Sequence, residues 1–224
     1  MCIGSSLCAY TVTEIQTLGG NHVADQHHLF LIKQGPLFWN QWRQEHADVQ
    51  PDLSEADLND ADLVGVNLSG TDLTRANLKG AMLKRADLRW TDLTQAVLAG
   101  ANLTGACCTE ANLIMSDLTE ANLTKTSFSR ASLYGAKLGE ADLRGANLSE
   151  VDLYMADLRE ADLRGANLYM ADLREADLRG ANLYMADLRE ADLTGARLLR
   201  ANMYGAKRLK VVFNKANSAG EEDE

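Results

Sequence analysis

An apolar residue at every fifth position over two thirds of this chain rules out both regular secondary structures for that region. From Leu53 to Met203, 28 of the 31 positions in the series are Leu, and the exceptions are Cys108, Phe128 and Met203. Leucines five residues apart advance by about 140° around a straight helix, so they form no apolar stripe. An odd period also sends successive leucines to opposite faces of a straight strand. The backbone must therefore bend once in every five residues.

A chain that bends once per unit can bury all of these leucines along one axis. Ala lies two residues before the series position in 24 of the 31 units, and the residue between them is Asp 15 times and Asn 9 times. Ala and Leu then point inward, stacked coils pair their backbones at β-strand spacing, and the Asp or Asn faces outward in an Asx-type turn. The predicted core contains Phe128 and, on the first side of the coil, Leu53, Leu73, Leu93, Leu113, Leu133, Leu153, Leu173 and Leu193.

The unit A(D/N)LXX, repeated without insertion over residues 51–205, resembles the consensus of the pentapeptide-repeat proteins. The resemblance implies an all-β fold, a right-handed quadrilateral parallel β-helix with four units per coil and about seven to eight coils. From the residues alone a three-sided coil stays open, because the phrase ADLREADLRGANLYM occurs twice between residues 156 and 185. The three-sided coil stacks Tyr154, Tyr169 and Tyr184. The four-sided coil stacks Tyr134 on Tyr154 and Tyr184 on Tyr204.

The segments outside the repeat differ from it in composition. We expect a loop or short hairpin at residues 1–28, a helical cap at 29–50, the β-helix at 51–215 and a disordered acidic tail at 216–224. Solenoid ends need a cover for their apolar core and unpaired edge. Residues Leu37, Phe38, Trp39 and Trp42 follow Pro36 at helical spacing and predict that cover. A helix that binds a partner is the alternative for this segment.

Charge and composition exclude several classes of protein. The net charge is -10, and this acidic balance argues against direct binding to nucleic acid, which needs clustered Lys and Arg. No apolar run approaches the roughly 20 residues that span a bilayer, and there is no secretory signal, so we expect a cytoplasmic protein without membrane contact. The Cys and His residues show no zinc-ligand spacing. Solvated loop histidines are favoured over a metal site with Cys2 or Cys8, and no cofactor is expected.

The outer surface carries the candidate interaction residues. Counted in fours from Pro51, the four sides over residues 51–205 have net charges of -6, -2, +2 and -2. Regularly spaced carboxylates on the first side could imitate DNA, as in family members that bind a type II topoisomerase (gyrase). Alternatively, they could serve only the turns, with neighbouring residues such as Arg159, Arg174 and Arg189 offsetting part of their charge. The six carboxylates concerned are Asp52, Asp72, Asp92, Asp152, Asp172 and Asp192.

Outward aromatic residues are the second candidate surface. Aromatic and Met side chains are favoured at protein interfaces, although they can also simply shield the wall. The residues concerned are Tyr134, Tyr154, Tyr169, Tyr184, Tyr204 and Trp90. No nucleophile, metal or phosphate-binding motif is present in the sequence. The sequence thus predicts a non-catalytic protein-protein interaction or scaffold protein with an unidentified protein partner, and it leaves the oligomeric state open.

Overall fold

The computed structural model describes residues 23–213. Two helices, α1 (Gln26–Lys33) and α2 (Pro36–Glu45), precede a coil that runs from residue 51 to residue 213. Neither of these two helices is long and apolar enough to cross a membrane. The predictions for Cys2, Cys8, the N-terminal hairpin and the acidic tail fall wholly or mostly outside the described residues.

The register of the coil is 20 residues. Parallel β-bridges join residues 20 apart, beginning with Asp52 and Asp72 and ending with Asp192 and Val212. Each bridge is a single residue, so every side of the coil is paired once per turn without extended strands. Residues 51–210 therefore form 32 five-residue units in eight four-sided coils, and the three-sided alternative is wrong.

Backbone hydrogen bonds explain why each unit both stacks and turns. Leu153 N–H donates to Asp172 O in the next coil at 2.8 Å, and Asp172 N–H donates back to Val151 O at 2.9 Å. Within the unit, Ala156 N–H donates to Leu153 O at 3.0 Å and closes the corner. The fifth residue of the unit occupies the left-handed region, as Met155 does with φ of 59°. That conformation costs a residue other than Gly about 1 kcal/mol, so the stacking must offset it many times over.

The interior of the coil is a column that consists mainly of Leu and Ala. The series residues on the first side are at most 2% exposed, and Phe128 and Cys108 are fully buried at equivalent positions. Phe128 follows Cys108 by 20 residues, so the largest and the smallest of these side chains occupy consecutive levels of one column. A large residue beside a small one preserves close packing where two leucines would otherwise lie.

The N-terminal cap differs from the sequence prediction. It contains two helices, and α1 begins at Gln26, inside the segment for which a loop or hairpin was expected. The predicted apolar face is wrong in part, because Leu37 and Phe38 are 86% and 62% exposed, whereas Trp39 is fully buried and Trp42 is half-buried.

Hydrogen bonds to the first coil determine which face of α2 is buried. Trp39 Nε1 donates to Asn67 O at 2.6 Å, and Arg43 Nη2 donates to Ser69 O at 2.8 Å. Asn40 accepts a 2.7 Å hydrogen bond from Asn67 N–H. Exposed backbone groups of the first coil are thereby paired, which favours this face over one containing Leu37.

The described histidines are structural residues of this cap. His28 Nδ1 accepts a 3.2 Å hydrogen bond from Asp52 N–H in the first coil. His27 and His28 lie against the Trp42 ring, and His46 stacks on it at 5.1 Å. Within residues 23–213 no group of three or more His, Cys, Asp or Glu residues could hold a metal ion.

The coil extends further towards the C-terminus than the regular sequence repeat. Arg208 occupies a series position but is exposed, and the coil continues through it to Phe213. Among the described residues, the last backbone bonds between coils run from Leu193 N–H to Val212 O at 2.9 Å and from Val212 N–H to Ala191 O at 3.1 Å. A charged residue is tolerated at this series position because Arg208 belongs to the last described coil and its side chain can reach solvent.

Candidate interaction surface

The corners of the coil fix the direction of the outward side chains. Asp152 Oδ1 accepts a 3.0 Å hydrogen bond from Tyr154 N–H, and Asp92 Oδ1 accepts one of 2.9 Å from Thr94 N–H. The same contact recurs in most units, where Asp or Asn accepts from the residue two positions later. The backbone of the residue that follows the buried Leu is therefore fixed at the corner, and its side chain starts one coil below that of the equivalent residue 20 positions later.

The first side, which we call the acidic wall, consists of the units that begin at residues 51, 71, 91, 111, 131, 151, 171 and 191. Its bridge residues form one aligned column, in which Asn112 and Ser132 separate a lower and an upper group of three aspartates. Ser132 Oγ lies 3.4 Å from Asp152 Oδ2 and donates to it. The predicted ladder of carboxylates is present but divided.

Several of these carboxylates are already engaged. Asp92 accepts a second hydrogen bond from Thr94 Oγ1 at 2.6 Å, and Asp192 accepts one from Thr194 Oγ1 at 2.5 Å. Asp172 is held by Arg174 at 2.5 Å between Nη2 and Oδ2. The hydrogen bonds from Arg174 keep the pKa of Asp172 below its usual value. These contacts support the alternative in which the aspartates serve the turns.

The pairing of Asp with Arg in the same unit is a feature that sequence reasoning recognised only in part. In each Asp-Leu-Arg unit, Arg Nε and Nη2 contact both carboxylate oxygens of the Asp two residues earlier. Bidentate pairs of this kind are geometrically specific, although partly exposed ones contribute little stability. The pairs are Asp87–Arg89, Asp142–Arg144, Asp157–Arg159, Asp162–Arg164, Asp172–Arg174, Asp177–Arg179 and Asp187–Arg189.

The gap in the acidic ladder coincides with an uncharged surface. Tyr134 and Tyr154 stack with ring centroids 5.7 Å apart, as the four-sided coil predicts. Met115 and Met155 beside them are 53% and 54% exposed, and Ile114 lies one coil below Tyr134. We call Ile114, Met115, Tyr134, Tyr154 and Met155 the Tyr band. Arg174 closes its upper edge, with Cζ 5.4 Å from the centroid of Tyr154.

The other outward aromatic residues lie on different walls. Tyr184 stacks on Tyr204 with centroids 6.0 Å apart, and Arg189 lies 5.8 Å from the Tyr169 ring. Trp90 is 57% exposed, donates from Nε1 to Glu110 Oε2 at 3.0 Å and lies beneath Arg89. The structure therefore brings Tyr134 and Tyr154 together but separates them from Tyr169, Tyr184 and Trp90.

A shallow groove of about 500 Å³ runs along the wall next to the acidic wall. Several of its charged groups are engaged in ion pairs. Arg159 contacts Asp157 at 2.6 Å, and Arg179 contacts Asp177 at the same distance. The described lining contains no His, Cys or Ser. Residues tied into such pairs are poorly suited to proton transfer near neutral pH.

Comparison with known proteins identifies the repeat. The family model for pentapeptide repeats matches eight copies between residues 52 and 217. No curated protein sequence matches the chain.

Several solved structures are similar to this chain. One is a pentapeptide repeat protein from the Arabidopsis thaliana thylakoid lumen, at 31% identity and a TM-score of 0.40. It matches 40% of this chain, which spans 63% of that protein's length. HetL, involved in heterocyst differentiation regulation in the cyanobacterium Nostoc sp. strain PCC 7120, is 30% identical over 75% of this chain and 93% of its own, with a TM-score of 0.26. Full-length QnrB1, a plasmid-mediated fluoroquinolone resistance protein, is 17% identical over 73% of this chain and 84% of its own, with a TM-score of 0.51. The likeness to QnrB1 concerns the fold alone.

Proposed function

The chain belongs to the pentapeptide-repeat family, and from that premise we propose that it is a non-catalytic scaffold that binds a protein partner through the Tyr band. The proposal includes the right-handed winding that the quadrilateral β-helices of this family have, and the cytoplasm as the compartment. The partner is a protein because the band is uncharged and aromatic, whereas nucleic acid requires clustered Lys and Arg.

The interruption of the acidic ladder is the observation that carries this proposal. Over three consecutive coils, the outward positions after the buried Leu on the acidic wall hold Ile, Met, Tyr and Gly, whereas the unit above carries Arg174 and Glu175 and the unit below carries the uncharged Thr94 and Gln95. Stacked Tyr rings lose little conformational entropy on binding, because the stack already limits their rotamers. Exposed Met side chains beside them can adapt to the shape of a partner. A rigid aromatic centre with an adaptable edge suits a protein interface.

The paired charges elsewhere on the surface support a scaffold over an enzyme. Asp157 in the groove is bound by Arg159, whose hydrogen bonds keep the pKa of Asp157 below its usual value. A general acid needs a carboxyl group whose pKa is raised towards neutrality. In the groove the pKa of Asp157 is lowered instead.

A comparison of two paired variants tests the proposal. The band variant carries Tyr134→Ser and Tyr154→Ser, and the control carries Tyr184→Ser and Tyr204→Ser, a stacked pair of the same size on another wall. Each chain is immobilised, incubated with cytoplasmic extract, and its retained proteins are quantified by mass spectrometry. We expect the band variant to lose at least about 90% of a partner that the control retains. Equal retention by both variants would refute the role of the band.

The topoisomerase-binding alternative has weaker support from the geometry. A mimic of the DNA backbone needs a continuous series of available carboxylates, whereas the acidic wall is interrupted by Asn112 and Ser132, and Asp172 is paired with Arg174. A DNA supercoiling assay with gyrase distinguishes the two hypotheses. One outcome would establish the alternative in place of the scaffold: the protein inhibits or protects gyrase at micromolar concentration. This effect must be lost when Asp72, Asp92 and Asp192 are changed to Asn, and it must be retained in the band variant.

A further inference from the structure

The charges of the coil are segregated along its axis. The first coil, residues 51–70, contains five acidic residues and no Lys or Arg. The eighth coil, residues 191–210, contains five basic residues and one acidic residue, Asp192. Seven coil steps separate them, which is about 34 Å at β-strand spacing. The coil therefore has a net charge of -5 at its N-terminal end and +4 at its C-terminal end.

Both ends also expose apolar side chains. At the C-terminal end, five apolar residues are between 47% and 75% exposed, namely Leu199, Tyr204, Leu209, Val212 and Phe213. At the N-terminal end, Phe30, Leu37 and Phe38 of the cap are between 60% and 86% exposed. Leu199, Tyr204 and Leu209 lie on three successive walls and therefore surround the end of the coil, and exposed apolar residues rimmed by charge mark interaction surfaces.

We propose that the C-terminal coil of one copy binds the capped N-terminal end of a second copy, head to tail. The opposite charges of the two ends attract, and each end supplies apolar groups that the contact would bury. Pairing of two C-terminal ends is disfavoured, because it places one net positive coil against another.

The ion pairs of the last coils identify the cations that face the partner. Arg197 contacts Asp177 at 3.3 Å, while Lys207 and Lys210 each lie 3.7 Å from an acidic residue of the preceding coil. Arg200 and Arg208 have no ion pair with another residue in the range 23–213. These two guanidinium groups therefore retain the most positive charge for a second molecule.

The arrangement of the acidic end determines how the attraction depends on salt. Helices α1 and α2 lie over the first coil, so much of the acidic charge is about one helix diameter, roughly 10 Å, from the contact. The Debye length is about 8 Å at physiological ionic strength and about 30 Å at 0.01 M salt. Association should therefore strengthen markedly as salt is lowered. Since a head-to-tail contact does not close on itself, further copies add in a row.

The C-terminal segment of the chain is the competing occupant. Residues 214–224 contain Lys215 and the acidic run Glu221, Glu222, Asp223 and Glu224, which would also attract Arg200 and Arg208. The segment offers only Ala216 and Ala219 as apolar side chains, too few to cover Leu209, Val212 and Phe213. The apolar part of the end thus favours a second copy.

Charge reversal with rescue tests the contact on the full chain. One variant carries Arg200→Glu and Arg208→Glu, the second carries Asp48→Lys and Asp60→Lys, and the third carries all four changes. Asp48 and Asp60 are exposed and belong to no ion pair among the described residues, so the substitutions leave the core untouched. Sedimentation velocity over a range of concentrations at low and physiological salt measures the association constant.

The expected pattern is specific to a head-to-tail contact. The unmodified chain forms a concentration-dependent series of oligomers at low salt, and either double reversal weakens association at least about tenfold. In the fourfold variant the net charges of the first and eighth coils fall to -3 and 0, but the four exchanged residues again have opposite signs across the contact, so it recovers part of the loss. A monomer at every concentration and salt overturns the proposal. A closed dimer whose association is unaffected by Asp48→Lys and Asp60→Lys also overturns it. Association that is seen only after residues 214–224 are deleted overturns it as well, because that segment would then be the occupant of the C-terminal end.

Discussion

The packing of Phe128 above Cys108 leads to a quantitative prediction about the core. Four consecutive levels of their column hold Leu88, Cys108, Phe128 and Leu148, and all four side chains are at most 1% exposed. Cys has about two fewer side-chain heavy atoms than Leu, and Phe has about three more, so the pair together fills roughly the space of two leucines. The two residues should therefore be energetically coupled.

The single changes should each destabilise the fold, and the double change should largely cancel them. Phe128→Leu leaves a cavity beside Cys108 and should cost about 1–2 kcal/mol, because the fixed distance between coils prevents collapse around it. Cys108→Leu adds atoms against an unchanged Phe128 and should cost about 1–3 kcal/mol by overpacking. The double variant restores the regular Leu column and should lie within about 1 kcal/mol of the unmodified chain. The coupling energy is then about 2–3 kcal/mol.

Reversible guanidinium denaturation at pH 7, followed by far-UV circular dichroism under reducing conditions, measures the four free energies of unfolding. Cys107→Ser is the matched control, because Cys107 is the half-exposed neighbour whose side chain lies outside the column. We expect that control to differ from the unmodified chain by less than about 0.5 kcal/mol. If the two single changes simply add in the double variant, the two side chains do not share a volume and the packing argument fails.

Two further predictions concern the wall. A Cβ at Gly180, which has φ of +72°, would meet only the carboxylate end of the exposed Glu160 side chain, which can rotate away, so Gly180→Ala should cost about 1 kcal/mol, mainly for the left-handed backbone, in thermal or chemical denaturation. Gly165→Ala, in a similar conformation with open space, should cost about the same, and a loss at Gly180 that is larger by more than about 1 kcal/mol would contradict this reasoning. Arg174→Gln should lower the free energy of unfolding by no more than about 1 kcal/mol at pH 7, because the pKa of Asp172 is lowered in the folded state. A carboxyl pKa that is lowered in the folded state stabilises the fold above the unfolded pKa of about 3.9, and this stabilisation is lost as pH falls through the folded pKa. In urea titrations, the free energies of unfolding of Arg174→Gln and of the unmodified chain should therefore converge in acid. A difference that persists in acid would exclude the ion pair as its source.

The period of the sequence was sufficient to predict the core, since every fifth residue is buried whatever the number of units per coil, as Leu153 is. The stacking partners needed one more quantity, the number of units per coil. The stacking of Tyr134 on Tyr154 follows from the four units per coil that the family resemblance implies, whereas the duplicated phrase also fitted three. The wall with the highest net negative charge was likewise predictable from the count in fours.

Features that depend on contacts between unlike segments were not predictable. The buried face of α2 is chosen by carbonyl groups of the first coil that accept from Trp39 and Arg43, and no periodicity records that choice. The pairing of Asp172 with Arg174 was visible as a spacing but not as a bidentate contact. The Tyr band became a distinct surface only after the ladder was known to be interrupted at Asn112 and Ser132.

The 20-residue register gives the duplicated phrase at residues 156–185 an unexpected geometry. A copy made 15 residues later falls one wall short of a full turn, so its side chains reappear a quarter turn around the axis rather than directly above the originals. Gaining or losing a single unit would likewise rotate everything beyond it by 90° relative to everything before it. A change of length by one unit can therefore alter which walls of the two halves of the coil face the same direction. The buried leucines still stack on leucines.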